Sequence, residues 1–349
     1  MLTDKPKIPP DNPDSSSPVI TTIEGCDPNA IADEVLQSSQ PLLLKGLVSQ
    51  WPIVKAASVS NRNVADYILK FDRGAPVTVY QGAAEIDGRI FYNENLDGFN
   101  FQRTRQTFKD TIDKIFSADQ DQQAETYYIG STMVEHWLPG FLAENQLSTG
   151  LNEPLVSIWM GNKSRIAAHY DFPNNIACSV AGRRRFTLFA PEQIDNLYVG
   201  PIDLTPSGQP ISMVDFKNPD YVAHPKFKQA LETALVVELE PGDAILIPSM
   251  WWHHVEALDF FNVLVNFWWR TTPVYMGSPF AALQHAVLSL RALPDEQRQA
   301  WQALFERYIF DQSDDQFSHI PKHARGVLNQ VDEQSAQNIR KQLIRLLKQ

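Results

Sequence analysis

Residues 155–189 read LVSIWMGNKSRIAAHYDFPNNIACSVAGRRRFTLF. Three short apolar or alternating runs stand in this stretch, Leu155–Met160, Ile176–Val180 and Phe186–Phe189. The Ala181-Gly182 turn signal lies between the last two, and no stretch is long enough for a helix to intervene. The texture continues to Arg270, with runs at Leu235–Leu239, Ala244–Ile247 and Asn262–Trp268 punctuated by Pro191-Glu192 and Pro241-Gly242-Asp243. Many short strands without long helices between them predict a mainly β fold, a double-stranded β-helix of the jelly-roll or cupin kind. Residues 198–228 are rich in Pro, Asp and Gly and read as a long loop over one rim of that barrel, where function often sits.

On either side the pattern changes. Residues 1–18 are dominated by Pro, Asp and Ser and predict a flexible tail. From Val19 to about Gly150, strand candidates at Pro41–Gly46 and Val77–Tyr80 mix with helical spacing over Phe108–Phe116, giving flanking α/β elements. These belong with the barrel in one domain, residues 19–270. The remainder, 271–349, reads as helical. Pro294 opens one helix running to about Phe310, with Asp295 and Glu296 in its first turn. Over Asp332–Leu347, the residues Ala336, Ile339, Leu343, Leu346 and Leu347 form one stripe. That stripe has to be covered, by the chain's own barrel or by a second copy in a homodimer, and periodicity leaves both open.

Composition bounds the function classes. The 349 residues are 43% hydrophobic and 20% charged, enough apolar material for a full core. No apolar run is long enough to span a bilayer, and no apolar segment follows the N-terminal lysines, so neither a membrane anchor nor a secretory signal is expected. A net charge of −11 argues against a broad nucleic-acid or anionic-membrane surface. Two cysteines, Cys26 and Cys178, make no disulfide scaffold and suit a reducing cytoplasm. Eight Trp and nineteen Phe are the conspicuous surplus.

Of eight histidines, His136, His224, His285, His319 and His323 lack a partner at ligand spacing. His169-Tyr170-Asp171 differs. On a strand, positions i and i+2 point to one side, so an imidazole and a carboxylate converge there. A third ligand is available in Trp251-Trp252-His253-His254, after the Ala244–Ile247 strand and the Pro248 turn. Two His and one carboxylate on one face leave positions open opposite, the facial arrangement of non-haem Fe(II) oxygenases. Spacing does not choose between His253 and His254, except that on a strand they face opposite sides.

Beyond these residues, the chain resembles the JmjC-like, cupin-type 2-oxoglutarate oxygenases, most of all the branch containing the asparaginyl hydroxylase that inhibits hypoxia-inducible factor. The resembling pieces span about residues 125–270 in order: Ala168-His169-Tyr170-Asp171, Asn175, Ala181-Gly182, Val214-Asp215-Phe216, Asn218-Pro219-Asp220-Tyr221, Pro241-Gly242-Asp243, Ile247-Pro248, Trp251-Trp252-His253-His254 and Val265-Asn266-Phe267-Trp268. The resemblance implies that His169, Asp171 and His253 hold Fe(II), and that 2-oxoglutarate is the cosubstrate. It implies Tyr128 (with Tyr127 as competitor), Asn175, Asn266 and Trp268 as cosubstrate-side residues.

Two departures stand out. The family's cosubstrate-binding lysine is replaced by Arg184, and a threonine by Ile166. Strand alternation puts Arg184 on the face of Phe186 and Leu188, where a buried guanidinium wants a carboxylate, which Arg grips bidentately. Arg183 and Arg185 face the other way and read as a solvated turn.

The function implied is a dioxygenase that hydroxylates a C–H bond with conversion of 2-oxoglutarate to succinate. A protein side chain is the favoured substrate, with a small molecule or an RNA base as alternatives; Trp251, Trp252, Phe267, Trp268 and Trp269 are candidates for walling the iron from water. The rival classes are a metal-binding cupin without oxygenase chemistry and a catalytically silent binding protein.

Overall fold

Alternation along the chain produces fourteen strands among the described residues, which are 18–118, 124–148, 150, 154–311, 313 and 316–348 of this computed structural model. Residues 1–17 of the expected tail lie outside them. The strands are β1 (Thr21–Glu24), β2 (Leu42–Lys45), β3 (Val77–Gly82), β4 (Arg89–Ile90), β5 (Phe101–Gln106), β6 (Thr126–Met133) and β7 (Leu155–Gly161). They continue with β8 (Ser164–His169), β9 (Asn174–Ala181), β10 (Arg184–Phe189), β11 (Leu235–Leu239), β12 (Ala244–Ile247), β13 (Trp252–Ala257) and β14 (Asn262–Trp269). Their pairing makes a nine-stranded sheet, β1-β2-β12-β9-β14-β7-β6-β3-β5, and a five-stranded sheet, β11-β10-β13-β8-β4. Neighbours are antiparallel except β1 with β2 and β4 with β8. This is the mainly β, jelly-roll-like architecture that the run lengths predict.

Both faces of the large sheet are covered, which is why its strands read as nearly continuous apolar runs. In β14, Val263, Val265, Phe267 and Trp269 join the core under the flanking helices, while Leu264 turns toward the small sheet. The helix-side core includes Ile53 and Val54 of helix Pro52–Ala57, Val64 and Ile68 of Asn61–Leu69, and Phe108, Ile112 and Ile115 of Phe108–Ser117. Between the sheets pack Ala177, Phe186, Leu188, Ile245, Ile247 and Val255. On the outer side of the small sheet, Phe189 and Trp252 meet Leu197, Val214, Phe216 and Phe227. The 198–228 segment is therefore a packed layer, with regular structure only from Phe227, in helix Phe227–Glu232.

The chain divides into two compact units between Arg270 and Thr271. The second is helical, with Pro279–Leu290, Asp295–Phe305 and Glu333–Leu347. Pro294 is the N-cap of the middle helix, and its last predicted turn, Glu306–Phe310, widens to a π-helix. Among the described residues no helix is long and apolar enough to cross a membrane.

Candidate metal centre and its pocket

The metal-ligand geometry starts from strand register. β13 runs antiparallel to β8 with His253 opposite His169, and the register shifts between His253 and Val255. As a direct cross-strand pair, the two imidazole rings lie 4.3 Å apart between centroids. Asp171 is not on the strand, which ends at His169. The following turn brings it back, and its carbonyl accepts a 2.9 Å hydrogen bond from the Met250 amide. Met250 has φ +69°, a left-handed conformation unusual for a side chain of this size and held here by the turn before β13. The ligand atoms of His169, Asp171 and His253 all lie within 4.8 Å of one another, and His253 Nε2 is 3.8 Å from Asp171 Oδ2.

Both rings are oriented from behind. His169 Nδ1 is 3.0 Å from the Ala167 carbonyl, and His253 Nδ1 is 3.0 Å from the Trp251 carbonyl. A carbonyl only accepts, so each Nδ1 carries the proton and each Nε2 presents a lone pair to the common point. Burial, and then the neighbouring His169, hold His253 below the ordinary imidazole range, so it is neutral and ready to ligate. His254 points to the opposite face. Its ring stacks on Phe216 at 4.4 Å and 17°, and burial pulls its pKa down to about 3.

A cavity of about 170 Å³ opens on this centre. Tyr128, His169, Asp171, Asn175, Arg184, His253, Asn266 and Trp268 all line it, as does Ile166. Arg184 is 1% exposed, and among the described residues its Nε and Nη2 have no hydrogen-bond partner. Burial lowers its pKa to about 10, so it remains a cation at neutral pH. Arg183 and Arg185 pair at the surface with Asp259 and Glu238. Tyr128 is buried in the cavity wall, and burial raises its hydroxyl above the ordinary phenol range. Tyr127 faces the other way and donates to Glu125. Asn266 Nδ2 donates to Asn175 Oδ1 at 2.9 Å, and among the described residues Asn266 Oδ1 has no partner.

The aromatic wall differs from the expected one. Of the residues named for it, only Trp268 lines the cavity; Trp251 joins the inter-sheet core, Trp252 the outer layer, and Phe267 and Trp269 the helix side. Alternation explains this, since neighbours on a strand cannot share a face. Tyr80, Tyr128, Trp159 and Phe186 supply the wall with Trp268. In the sequence Trp159 is indistinguishable from a core residue because it sits inside the Leu155–Met160 run. Its signal is that it lies two residues from Ser157 and Gly161, the small residues of the same strand face.

The donor set suits a divalent metal with two neutral imidazoles and one carboxylate, and the orphaned guanidinium suits a carboxylate ligand in the same space. Comparison with known proteins places the chain in a family. The profile of the cupin-like domain family matches residues 28–275. Lysine-specific demethylase JMJ31 of Arabidopsis thaliana is 34% identical over 141 residues, 40% of this chain and 24% of that protein. Lysine-specific demethylase 8 of Xenopus tropicalis is 26% identical over 238 residues, 68% of this chain and 49% of its own length. The tRNA wybutosine-synthesizing protein 5 of Mus musculus is 24% identical over 315 residues, 80% of this chain and 91% of its own. The chain thus spans about a quarter and about half of the two demethylases.

Proposed function

From the premise that this chain belongs to the cupin-like domain family, we propose that it is an Fe(II)- and 2-oxoglutarate-dependent dioxygenase hydroxylating a C–H bond on a protein side chain, in the manner of an asparaginyl hydroxylase. The observation that carries this reading is the buried, unpaired Arg184 in the same cavity as the His169, Asp171 and His253 ligand set. A guanidinium stripped of water and left without an anion costs several kcal/mol, so the site is built for an anion that arrives from outside.

In this reading His169, Asp171 and His253 hold the metal on one face and leave the opposite positions open. With Fe(II) and 2-oxoglutarate bound, O₂ would be the oxidant: one of its oxygen atoms would enter succinate as 2-oxoglutarate loses CO₂, and the other would enter the substrate C–H bond as hydroxyl. Arg184 grips the far carboxylate and Tyr128 offers its hydroxyl proton beside it. Ile166 contributes apolar wall there, so more of the carboxylate's binding falls on Arg184. Trp159, Phe186 and Trp268 exclude water from the reacting space.

Anaerobic addition of Fe(II) and 2-oxoglutarate to the purified protein is expected to give a metal-to-ligand charge-transfer band in the visible spectrum. Admission of O₂ then yields succinate. Absence of both overturns the reading. A hydroxylated base in RNA is the second reading, favoured by similarity running over 91% of the mouse tRNA wybutosine-synthesizing protein 5. For the helical unit we propose a second copy as partner, because Leu288, Trp301, Leu346 and Leu347 are exposed.

A further inference from the structure

We propose that a groove leading from the metal pocket to β5 binds an acidic stretch of the polypeptide substrate, read by Arg103 and Arg105. The inference rests on the hydroxylase reading and names the class of segment it would accept.

One sheet face connects the two regions. Arg103 and Arg105 are two apart on β5 and share a face, with Arg103 opposite Tyr80 and Arg105 opposite Thr78 on β3. Tyr80 in turn stands opposite Tyr128 on β6, which lines the metal pocket. The groove holds about 690 Å³, and Tyr80, Ser131, Trp159, Pro206 and Ser207 border both it and the metal pocket. A substrate residue placed at the iron therefore has its neighbouring residues in this groove.

Its chemistry is cationic and unsatisfied. Arg103 donates to the Pro206 carbonyl at 2.8 Å, and Arg105 donates to Thr78 Oγ1 at 3.2 Å and to the Pro76 carbonyl. All these partners are neutral. Among the described residues neither guanidinium has a carboxylate at ion-pair distance, although Asp203 borders the same groove. The contacts hold the two side chains in place while leaving most of their N–H donors unused. Independently, the Trp159 indole N–H is buried without an acceptor among the described residues, at the junction of groove and pocket. A main-chain carbonyl passing into the pocket would satisfy it.

The same observations favour a peptide over a nucleic acid. Single-stranded nucleic acid needs free aromatic faces for its bases and a run of cations for its phosphates. Here the aromatic faces are already used: Tyr80 stacks on Phe101 at 4.7 Å, Phe101 on Phe99 at 5.1 Å, and Arg103 covers both Tyr80 and Phe99. Two arginines in a chain of net charge −11 can hold one or two carboxylates but not a polyanion.

The test is fluorescence polarisation with the full-length protein and short fluorescein-labelled peptide pools. Each pool carries a fixed central Asn, with Asp/Glu, Gly/Ser or Lys flanks. The acidic pool is expected to bind about tenfold or more tighter than the neutral one. Arg103→Glu together with Arg105→Glu is expected to move the preference to the lysine pool, a gain that a misfolded protein cannot produce. Equal binding of acidic and neutral pools overturns the proposal. So does an oligoribonucleotide that binds more tightly than the acidic pool, or free glutamate that displaces that pool at equal concentration. The charge-transfer band measured on the same wild-type preparation separates the two readings. Its absence beside an acidic preference overturns the oxygenase alone, and its presence without that preference overturns the groove alone.

Discussion

His253 and His254 are adjacent, equally able to ligate, and opposite in fate, because a strand sends one to the inter-sheet cavity and the other to the outer layer against Phe216. His253→Ala is therefore expected to abolish Fe(II) binding measured by calorimetry, whereas His254→Phe keeps the ring stack and retains the metal. The second variant also has a pH signature. The folded His254 pKa, about 3, lies below the value near 6.5 of an unfolded chain. Above about pH 6.5 both states are neutral and the group contributes nothing to the pH dependence. As pH falls below that, the unfolded chain takes up a proton that the folded site refuses, costing up to about 1.4 kcal/mol of stability per pH unit. Chemical denaturation of metal-free His254→Phe should show a shallower loss of stability between pH 6 and about 4 than the parent. Arg184 and Arg183 make a second contrast. Arg184→Ala is expected to remove the anaerobic charge-transfer band, and Arg183→Ala, whose partner is the surface carboxylate of Asp259, to keep it. Retention in the first or loss in the second would reassign the cation. Alternation alone separates Arg184 from its neighbours on paper; that its Nε and Nη2 have no hydrogen-bond partner among the described residues appears only when the surrounding donors and acceptors are in place.

At the scale of the element, the turn joining β9 to β10 determines where Arg184 starts. Gly182 sits there with φ +68°, and a Cβ would come within 2.4 Å of Asn262 Oδ1 and 2.6 Å of the Phe261 carbonyl. Left-handed backbone and a backbone clash act together, so Gly182→Ala is expected to cost about 3 kcal/mol in urea unfolding. A change below about 0.5 kcal/mol would mean that the turn relaxes freely. Six strand runs in the β region were legible in the sequence, with ends displaced by at most two residues, because short apolar runs bounded by Gly and Pro leave few alternatives; β8 and β13, whose polar residues interrupt the apolar pattern, were not among them. The bend that returns Asp171 to the two histidines was not. A period-two rule describes a strand, and β8 stops at His169. The 198–228 segment is the loop that its composition predicts as far as Phe227, but that Val214, Phe216 and Phe227 pack it down as a layer was not legible, since irregular backbone carries no periodic signal.

For the whole molecule, the helical unit from Thr271 leaves Leu288, Trp301, Leu346 and Leu347 exposed. With a second copy as the proposed partner, light scattering coupled to size exclusion should give about twice the chain mass of 39.5 kDa. Leu346→Glu with Leu347→Glu should return it to the single-chain mass. A parent already at 39.5 kDa removes the homodimer from the account. The sequence by itself determined the barrel class, because that depends on local periodicity and composition. Only the tertiary structure decided which aromatics face the metal site, which cation stays unpaired and which surface continues from the pocket to Arg103. Those are properties of distances between strands far apart in the chain, where the pairing register, rather than the neighbouring residues, selects the contacts.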